Sequence, residues 1–564
     1  MELLEQHFDT AFSAPNGIQK LRELILTLAM QGKLVPQESK DAPTSQLLKE
    51  IESEKKRLAK EGKIKAPKPL PVISSSDEPY ALPKGWQWVR LGSIGNIFNG
   101  NSINATEKEA KYAGAKGLPY IATKDVGYGF DPIDYENGIC IPAGEDKFRL
   151  AHEGAVLICA EGGSAGKKCG LTDRDICFGN KLFANELYGQ IPSRFILYTY
   201  LSPVFRASFA GAMSGIIGGV SIAKFVEIPI PLPPLDEQHR IVAKIDQLMA
   251  RCEALENLRS EREKKRLATH AAALSQLLDT TGNGSADDAW AFITQHFGDL
   301  YAVRENVTEL RKAILQLAVM GKLVPQNPND SPASKLLKEI ESEKKRLVKE
   351  GKIKAAKLPP ETNVEGVPHE LPAGWAWATL GEISLKVSDG FHHTPRKEVE
   401  GIKYISATHI YNGRIDWDSN LFVSEKEYLD LYKKVGQGFG DILIVNRGAG
   451  CGDAAIVDSN EKYCFQNAAI IGFDQTRLCG GYILRYLHSS REHFLKQFIQ
   501  GGAQPMLSNR LIATHLIAIP PFAEQHRIVA KINKLMSLCD MLELRIAHAT
   551  TKQSELLDAV MAQV

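Results

Sequence analysis

The nine-residue sequence EQHRIVAKI occurs twice, at Glu237–Ile245 and again at Glu524–Ile532. Each copy follows a proline-rich run, Pro231–Pro234 in the first case and Ile519–Pro521 in the second. After each copy, apolar residues alternate four and three positions apart, which is the spacing of a coiled-coil seam. We therefore predict a long helix in the middle of the chain and an equivalent helix at its end.

The predicted seams consist of apolar residues on one face of each helix. They are Ile241, Ile245, Leu248, Cys252 and Leu255 in the central helix, and Ile528, Ile532, Leu535, Cys539, Leu542 and Ile546 in the terminal helix. At ~1.5 Å per residue, a helix of this length spans about 60 Å.

The helical part before each globular segment also repeats. Leu47–Ala66 recurs as Leu336–Ala355, an offset of 289 residues (336 minus 47), with the single difference of Ala59 against Val348. The globular segments that follow both begin with Leu-Pro-x-Gly-Trp and then share little sequence. This pattern indicates a repeated helical scaffold that carries two globular heads with different tasks of one kind.

We predict an α+β protein with a pseudo-two-fold internal repeat. Two α/β globular domains are separated by two long helices packed as an antiparallel coiled coil. The predicted segments are a helical region (1–80), head 1 (81–235), the central helix (236–280), a second helical region (281–370), head 2 (371–522) and the terminal helix (523–564).

Inside the heads, short apolar runs between glycines predict strands, such as Ala155–Cys159. Phe195–Phe209 is predicted to be one amphipathic helix. The four tryptophans at the starts of the heads are predicted to pack in the core rather than to stack on bases: Trp86, Trp88, Trp375 and Trp377.

Composition limits the class of protein. The formal net charge is +1, and a protein that binds nucleic acid over its whole surface is usually more basic. Any DNA binding therefore requires local positive charge or partners that help to enclose the duplex. The nine cysteines are scattered without a CxxC pair, the N-terminus lacks the pattern of a signal peptide, and no apolar run approaches the ~18 residues of a membrane helix. We expect a cytoplasmic protein with no membrane contact.

The repeated motifs resemble one family. Leu82-Pro83-x-Gly85-Trp86, Pro233-Pro234-Leu235-x-Glu237-Gln238 and Asp389-Gly390-x-His392 with Thr394-Pro395 are similar to motifs of the specificity subunit of type I restriction-modification systems. The resemblance covers essentially the whole chain, including the extra helical segment that one subfamily repeats.

This resemblance implies that each head is a target recognition domain that reads one half of a split site on double-stranded DNA. The long helices then set the spacing and dock two modification subunits, which methylate adenine with S-adenosylmethionine. Restriction subunits, which use ATP and magnesium, join to translocate and cleave DNA. The resemblance implies that this chain is not catalytic and binds no cofactor of its own.

The sequence agrees with a non-catalytic role. The nearest phosphate-loop lookalike has Glu161 in place of the first glycine and Lys168 in place of Ser or Thr. Zinc-ligand spacing and the Asn/Asp-Pro-Pro-Tyr/Phe motif of adenine methyltransferases are both missing from the sequence. Two alternatives stay open: a self-contained nuclease or methyltransferase fused to recognition heads, and a coiled-coil scaffold with no nucleic-acid role.

Candidate DNA contacts in head 2 lie first in the turn-rich loop Ser388–Lys397, whose donors and cations suit base edges and phosphates. They are Asp389, His392, His393, Thr394, Arg396 and Lys397. The matching place in head 1 offers Asn99, Asn101, Ser102 and Asn104. Asparagine can read adenine in a bidentate way, although it more often forms turns, and the head 2 loop can equally be an ordinary exposed loop.

Glycine-rich loops after apolar strands supply the remaining candidates. They are Ser164, Lys167 and Lys168 in head 1, and Asn446, Arg447 and Gln504 in head 2. Glycine allows close approach of the backbone to a phosphate, and the lysines and arginine supply charge. The alternative is a β-turn with solvated side chains.

Overall fold

A computed structural model describes residues 12–64, 69–215, 218–279, 286–353, 369–391, 394–418, 421–448, 450–498 and 506–562. The chain divides into two compact units. Unit 1 comprises residues 1–261 and 549–564, and unit 2 comprises residues 262–548. Each unit thus contains one head, the helical segment before it, and part of both long helices. The six-segment division stays a prediction, whereas the α+β class is confirmed.

Within the described residues, unit 1 contains seven complete α-helices, the first part of a long eighth helix and the end of the C-terminal helix. The first eight are α1 (Gly17–Met30), α2 (Thr44–Lys60), α3 (Leu91–Ile94), α4 (Ala105–Glu107), α5 (Ser193–Leu201), α6 (Pro203–Ala212), α7 (Ile222–Val226) and α8 (Leu235–Leu278). Its strands are β1 (Gln87–Arg90), β2 (Gly95–Asn99), β3 (Leu118–Ile121), β4 (Cys140–Ile141), β5 (Leu150–Ala151), β6 (Val156–Cys159), β7 (Cys169–Leu171), β8 (Ile176–Phe178), β9 (Leu182–Leu187) and β10 (Pro229–Leu232).

Unit 2 holds the rest of α8 together with α9 (Ala286–Gln295), α10 (Phe297–Leu300), α11 (Arg304–Val319), α12 (Ala333–Lys349), α13 (Leu380–Ile383), α14 (Glu425–Val435), α15 (Gly480–Phe498), α16 (Asn509–Thr514) and most of α17 (Phe522–Met561). Its strands are β11 (Ala376–Thr379), β12 (Lys386–Asp389), β13 (Ile402–Ile405), β14 (Ile410–Tyr411), β15 (Arg414–Ile415), β16 (Phe422–Val423), β17 (Ile442–Val445), β18 (Ala454–Ile456), β19 (Tyr463–Phe465), β20 (Ala468–Gly472) and β21 (Leu516–Ile519).

The two heads have the same sheet order although their sequences diverge. In head 1 an antiparallel sheet has the order β2-β9-β6-β7, and in head 2 the order is β12-β20-β17-β18. A second sheet in each head contains one parallel pair, β3 with β8 and β13 with β19. The first strand of each head pairs with its last, β1 with β10 and β11 with β21. The chain therefore enters and leaves each head on neighbouring strands.

The predicted helix over Phe195–Phe209 is wrong in one respect, because the structure has two helices there. The chain breaks at Ser202, whose extended backbone ends α5 and begins α6. Ser202 Oγ accepts from the N–H of Phe205 at 3.3 Å, and Pro203 occupies the first helical position, where its missing N–H costs nothing.

The predicted seam residues pack first on their own unit. Ile241, Ile245 and Cys252 are buried in the core that α1 and head 1 share. Leu255, further along the predicted seam, is 49% exposed. Ile528, Ile532 and Cys539 are likewise buried in the core of unit 2. This intra-unit packing explains the apolar spacing in the first half of each seam, and packing of the long helices against each other stays a prediction.

The repeated sequence makes the same side-chain contacts in both units. Trp86 Nε1 donates to Glu237 Oε2 at 2.9 Å, and Trp375 Nε1 donates to Glu524 Oε1 at 3.2 Å. Both carboxylates are buried, and burial raises the pKa of each, with the indole N–H acting in the opposite direction. The first glutamate of each repeat therefore fastens the long helix to the Leu-Pro-x-Gly-Trp turn of its head. This also confirms that Trp86 and Trp375 are core residues.

The next polar residues of the repeat complete this attachment. Gln238 donates to the carbonyl of Pro233 at 2.8 Å, and Gln525 donates to that of Pro520 at 3.0 Å. The repeat's arginine then forms an ion pair with an aspartate that precedes the lysine-rich helix: Arg240 with Asp41 at 2.5 Å, and Arg527 with Asp330 at 2.6 Å. We call the tryptophan–glutamate, glutamine–carbonyl and arginine–aspartate interactions the frame contacts.

Candidate functional site

Each head has a cleft at the point where its second strand ends. The head 1 cleft has a volume of about 320 Å³ and is lined by Asn99, Ala160, Glu161, Asn180, Phe183, Gly219, Val220, Ser221 and Ile222. The head 2 cleft has a volume of about 30 Å³ and is lined by Asp389, Gly390, Phe391, Asn446, Arg447, Asn467 and Ala468. Four of the sequence-predicted candidates line these clefts: Asn99 in head 1, and Asp389, Asn446 and Arg447 in head 2.

A shared backbone bond shows that Asn99 and Asp389 occupy equivalent positions. The residue two places after each donates to a buried strand end: Asn101 N to Phe178 O, and Phe391 N to Phe465 O, both at 2.9 Å. The glycine in between is required by the close approach. A Cβ on Gly100 would lie 1.9 Å from the Phe178 oxygen, and one on Gly390 would lie 2.1 Å from that of Phe465.

A second pair of bonds fixes the opposite wall. Val220 N donates to Ala160 O, and Leu507 N donates to Asn446 O, both at 2.9 Å. Ala160 is therefore equivalent to Asn446, and one residue on, Glu161 is equivalent to Arg447. Two residues after Val220 and Leu507, Ile222 is equivalent to Asn509. The backbone of the cleft is the same in both heads, and its side chains are different.

In head 2 the side chains form a closed polar cluster. Asn446 Nδ2 donates to Asp389 Oδ1 at 2.8 Å, and Asn509 Nδ2 donates to Asp389 Oδ2 at 2.9 Å. The carboxylate can only accept, so both amide groups must turn their nitrogens toward it and their oxygens away. Arg447 is exposed beside the cluster, with no side-chain partner within the described ranges.

In head 1 the equivalent place holds a cation instead. Arg149 Nη1 donates to Asn99 Oδ1 at 2.9 Å and to the Asn99 carbonyl at 3.0 Å. Asn101 Oδ1 accepts from the backbone N–H of Arg149 at 2.9 Å. The two predicted asparagines thus position an exposed arginine. Across the cleft, Glu161 lies 3.5 Å from the Lys181 ammonium.

The glycine-rich loop of head 1 is held by a tyrosine. Tyr128 is 53% exposed, and its hydroxyl lies 3.2 Å from Ser164 Oγ. The Lys168 ammonium lies 4.9 Å from the centre of the Tyr128 ring and donates to the carbonyls of Thr123 and Lys124. Lys167 is exposed, and within the described residues its ammonium donates to the carbonyl of Gly163 at 3.3 Å and to no other group. Ser164 and Lys168 are therefore ordered by their neighbours, and Lys167 is the more available cation.

The other candidates divide into three groups. Asn104 caps α4 by accepting from the N–H of Glu107 at 2.8 Å, the turn-forming alternative for asparagine. Ser102, Thr394, Arg396 and Lys397 are exposed at the surfaces of their heads. His392, His393 and Gln504 lie outside the described residues.

Sequence reasoning missed Arg149, Asn509, Tyr128 and the role of Glu161. Arg149 lies 50 residues from Asn99 in the chain, and Asn509 lies 120 residues from Asp389. No local pattern marks either residue. Only the fold brings each to the end of its strand.

Metal-ligand groups and the thiol next to the head 1 cleft bear on two kinds of enzymatic site. Within these ranges, His, Cys, Asp and Glu form no group of three or more that could hold a metal ion. Burial raises the pKa of the Cys159 thiol next to the head 1 cleft, so this thiol is not an activated nucleophile. In the same part of the chain, no helix is both long enough and apolar enough to cross a membrane.

Known proteins match this chain over nearly its full length. The family model described as "Type I restriction modification DNA specificity domain" matches residues 83–263 and 372–548. The chain is 33% identical to the specificity subunit of the Escherichia coli type I restriction enzyme EcoAI, over 96% of this chain and 93% of that protein. It is 32% identical to the EcoEI specificity subunit of the same organism, with the same coverage. The chain belongs to the specificity subunits of type I restriction-modification systems.

A crystal structure of the HsdS subunit from Thermoanaerobacter tengcongensis is 18% identical and has a TM-score of 0.41, covering 86% of this chain and 98% of that one. In the present chain, each family-model match begins at the proline of Leu-Pro-x-Gly-Trp and ends within the following long helix. Each match therefore contains one head with its cleft and the glutamate that fastens it.

Proposed function

We propose that this chain is the non-catalytic subunit that selects the DNA sequence for a type I restriction-modification enzyme. Each head reads one half of a bipartite site on double-stranded DNA. The observation that carries this proposal is the pair of clefts, which have the same backbone and different side chains. Two readers of two different half-sites require this combination.

We infer that phosphate contacts come from exposed cations around the clefts. Lys167 in head 1 and Arg396, Lys397 and Arg447 in head 2 carry local positive charge on a chain whose net charge is only +1. Local charge of this kind gives affinity that falls with added salt, whereas base-edge contacts inside the clefts give the sequence preference.

The long helices supply spacing and docking in this proposal. Helix α8 has 44 residues and α17 has 40, so each is about 60 Å long or slightly more at ~1.5 Å per residue. Packed antiparallel, they hold the heads apart and present two equivalent surfaces to two modification subunits in the cytoplasm. Those partners supply S-adenosylmethionine for adenine methylation, and restriction subunits supply ATP- and magnesium-dependent cleavage.

The test is methylation of a random DNA library by purified modification subunits, with and without this chain. We expect methylated adenines within one bipartite sequence when the chain is present. Unchanged methylation on omitting the chain would contradict the proposal. The isolated chain, incubated with S-adenosylmethionine or with magnesium, serves as the control, because turnover there would favour a self-contained enzyme.

A coiled-coil scaffold without a nucleic-acid role makes a different prediction. In that case the assembled complex would protect no DNA from nuclease digestion at any salt concentration. We expect protection at low salt that weakens as salt rises, since phosphate contacts release counterions.

A further inference from the structure

We propose that Arg149 is the residue with which head 1 reads a guanine, through paired hydrogen bonds from its guanidinium to O6 and N7 of that base. Asn99 is the positioning residue that holds the guanidinium in place. This inference rests on the proposed function and specifies a G·C pair at one position of one half-site.

The first step is that Arg149 is both exposed and fixed. Its side chain is exposed beside Asn99, a residue that lines the head 1 cleft. Arg149 Nη1 donates to Asn99 Oδ1 at 2.9 Å and to the Asn99 carbonyl at 3.0 Å. The backbone N–H of Arg149 donates to Asn101 Oδ1 at 2.9 Å. Because ordering a long side chain costs conformational entropy, a ligand that meets an already ordered guanidinium avoids this cost on binding.

The second step is that the charge of Arg149 is not neutralised within head 1. In the described part of the chain, its guanidinium donates to the oxygens of Asn99, an uncharged residue, and to no carboxylate. Other exposed cations of this head differ. The Lys147 ammonium lies 2.7 Å from the Glu107 carboxylate, and the Arg174 guanidinium lies 2.8 Å from that of Asp173. Arg149 therefore retains its positive charge for an electronegative partner outside the chain.

The third step concerns the donors that remain on Arg149. The N–H groups of Nη1 are both used by the oxygens of Asn99. Nε and Nη2 have no hydrogen-bond partner among the described residues. These nitrogens lie on one edge of the planar guanidinium and can donate parallel hydrogen bonds. The free edge therefore fits a partner that presents neighbouring acceptors.

The fourth step identifies this partner. In the major groove, guanine presents O6 and N7 as neighbouring acceptors, and an arginine bound to both is the commonest specific contact. Adenine presents its N6 amino group beside N7, so a donor would face the donors of Arg149. Thymine O4 is a single acceptor. An arginine edge that is fixed in this direction therefore accepts a G·C pair and rejects an A·T pair.

A phosphate also offers neighbouring acceptors, but it fits Arg149 less well. Phosphates occur at every base pair and carry no sequence information, so a contact to them does not require a side chain fixed in one direction. A mobile cation such as the exposed Lys167 is sufficient for that role. The fixation of Arg149 by Asn99 therefore favours a base contact.

Head 2 has a different arrangement at the equivalent strand end. Asp389 replaces Asn99, and its carboxylate oxygens accept from the amides of Asn446 and Asn509. Asp389 forms no hydrogen bond to an arginine in the described ranges. A guanine contact from this position is therefore expected only in the half-site of head 1.

The experiment is sequencing of the sites methylated by the complete methyltransferase complex that carries Arg149→Ala. We expect the preference for G·C over A·T at one position of one half-site to fall about tenfold, because a bidentate base contact is lost. The other positions of that half-site, and the whole of the other half-site, should keep their wild-type preferences.

Two further variants sharpen the test. Arg149→Gln removes the charge and introduces an amide that can pair with adenine N6 and N7, so it should shift the same position toward A·T. It decides the question if Arg149→Ala does not assemble. Asn99→Ala removes one of the two oxygens that hold Nη1 and should relax the same position by less than Arg149→Ala. An unchanged preference in Asn99→Ala would contradict the positioning role.

The matched control is Arg174→Ala, the same substitution at another exposed arginine of head 1. The Arg174 guanidinium pairs with Asp173 and lies 4.3 Å from the centre of the Tyr135 ring. This variant should leave the base preference at every position unchanged. DNA binding of all four variants over a salt series separates the two kinds of contact, since loss of a phosphate contact weakens binding to every sequence and lowers the salt slope by about one.

Three results would overturn the inference. The first is an unchanged base preference at every position in the Arg149 variants that assemble. The second is uniformly weaker binding with a lower salt slope, because Arg149 would then contact a phosphate. The third is failure of both Arg149 variants to assemble, since the arginine would then be structural. Failure of the proposed function looks different, because the wild-type complex itself would show no bipartite site.

Discussion

The contacts that attach a head to its long helix are the same in both units, whereas the side chains of the two clefts differ. In both units a tryptophan donates to the first glutamate of the repeat, and an arginine three residues on pairs with an aspartate. In the clefts, the backbone hydrogen bonds are retained and the side chains differ. Head 2 has a carboxylate, two amides and an arginine. At the equivalent positions head 1 has an amide, two apolar residues and a glutamate. The lesson is that one fold and one attachment can present two unrelated sets of cleft side chains.

The largest effect that tests this comparison is loss of the fastening tryptophan. Trp86→Ala or Trp375→Ala removes a buried indole and leaves a buried glutamate without its donor. We expect each substitution to lower the free energy of unfolding of its own unit by about 3–5 kcal/mol. Urea-dependent hydrogen exchange, read separately for peptides of units 1 and 2, measures each unit by itself.

The neighbouring tryptophans provide the matched controls. Trp88 and Trp377 lie two residues further on and are only partly buried, so their alanine variants should cost clearly less. Very different costs for Trp86→Ala and Trp375→Ala would break the comparison, because equal frame contacts should have similar energies.

The arginine–aspartate frame contact should have the next largest effect. Arg240→Ala leaves the Asp41 carboxylate, which is 3% exposed, without its cation and should cost about 1–3 kcal/mol at neutral pH. Arg240 lowers the pKa of Asp41. The stability from this pair is thus present above the ordinary pKa of 3.8 and is lost as pH falls through the lowered folded value.

The cost of Arg240→Ala should accordingly shrink when unfolding is measured in acid instead of at pH 7. Arg527→Ala in unit 2 is the matched variant and should cost a similar amount at neutral pH. A cost that stays constant down to pH 2 would show that the ion pair does not stabilise unit 1.

One buried pair differs between the units and allows a smaller test. His270 lies 3.0 Å from the Tyr301 hydroxyl in unit 2, while at the corresponding repeat positions in unit 1 Leu557 and Phe12 belong to one apolar cluster. His270 Nδ1 is buried with no partner among the described residues, and burial lowers the pKa of this imidazole.

We expect His270→Leu combined with Tyr301→Phe to stabilise unit 2 by about 1 kcal/mol, because it removes an unpaired polar atom and retains the volume. Thermal unfolding followed by hydrogen exchange in unit 2 is the measurement, with unit 1 as the internal control. Destabilisation would show that the hydrogen bond between His270 and Tyr301 stabilises unit 2 more than an apolar pair of the same volume does.

The smallest effect concerns the fastening glutamates. Burial raises the pKa of Glu237 and Glu524. Each neutral carboxyl group therefore stabilises its folded unit below the ordinary pKa of 4.5, and this stabilisation is lost as pH rises through the raised pKa of the folded state. Glu237→Gln retains an acceptor for Trp86 without the charge. We expect this variant to match the wild type near pH 4 and to exceed it by about 1 kcal/mol or less at pH 8 in denaturant titrations.

The sequence predicted the frame better than the clefts, for a physical reason. The EQHRIVAKI sequence, the prolines before it and Leu-Pro-x-Gly-Trp are local patterns. Because each pattern occurs twice in the chain, comparison of the two copies identifies it from the sequence alone. Even there, the apolar spacing predicts a seam between long helices, whereas Ile241, Ile245 and Cys252 pack on their own head.

The clefts depend on residues that are distant in the chain. The sequence predicts Asp389 and Asn446 as DNA contacts. Their hydrogen bond, and the third member of the cluster, Asn509, depend on the fold, which brings strand ends and a later loop together. In head 1, Asn99 and Asn101 position Arg149, a residue that no motif marks.

The most direct test of the central claim exchanges one cleft-bearing head for the other on an unchanged frame. Head 2, from Trp375 to the strand before Glu524, is replaced by the equivalent part of head 1, and the methylated sites of the assembled complex are sequenced. We predict a site in which the half-site of head 1 occurs twice, while that of head 2 is lost. Continued methylation of the original asymmetric site would contradict the account.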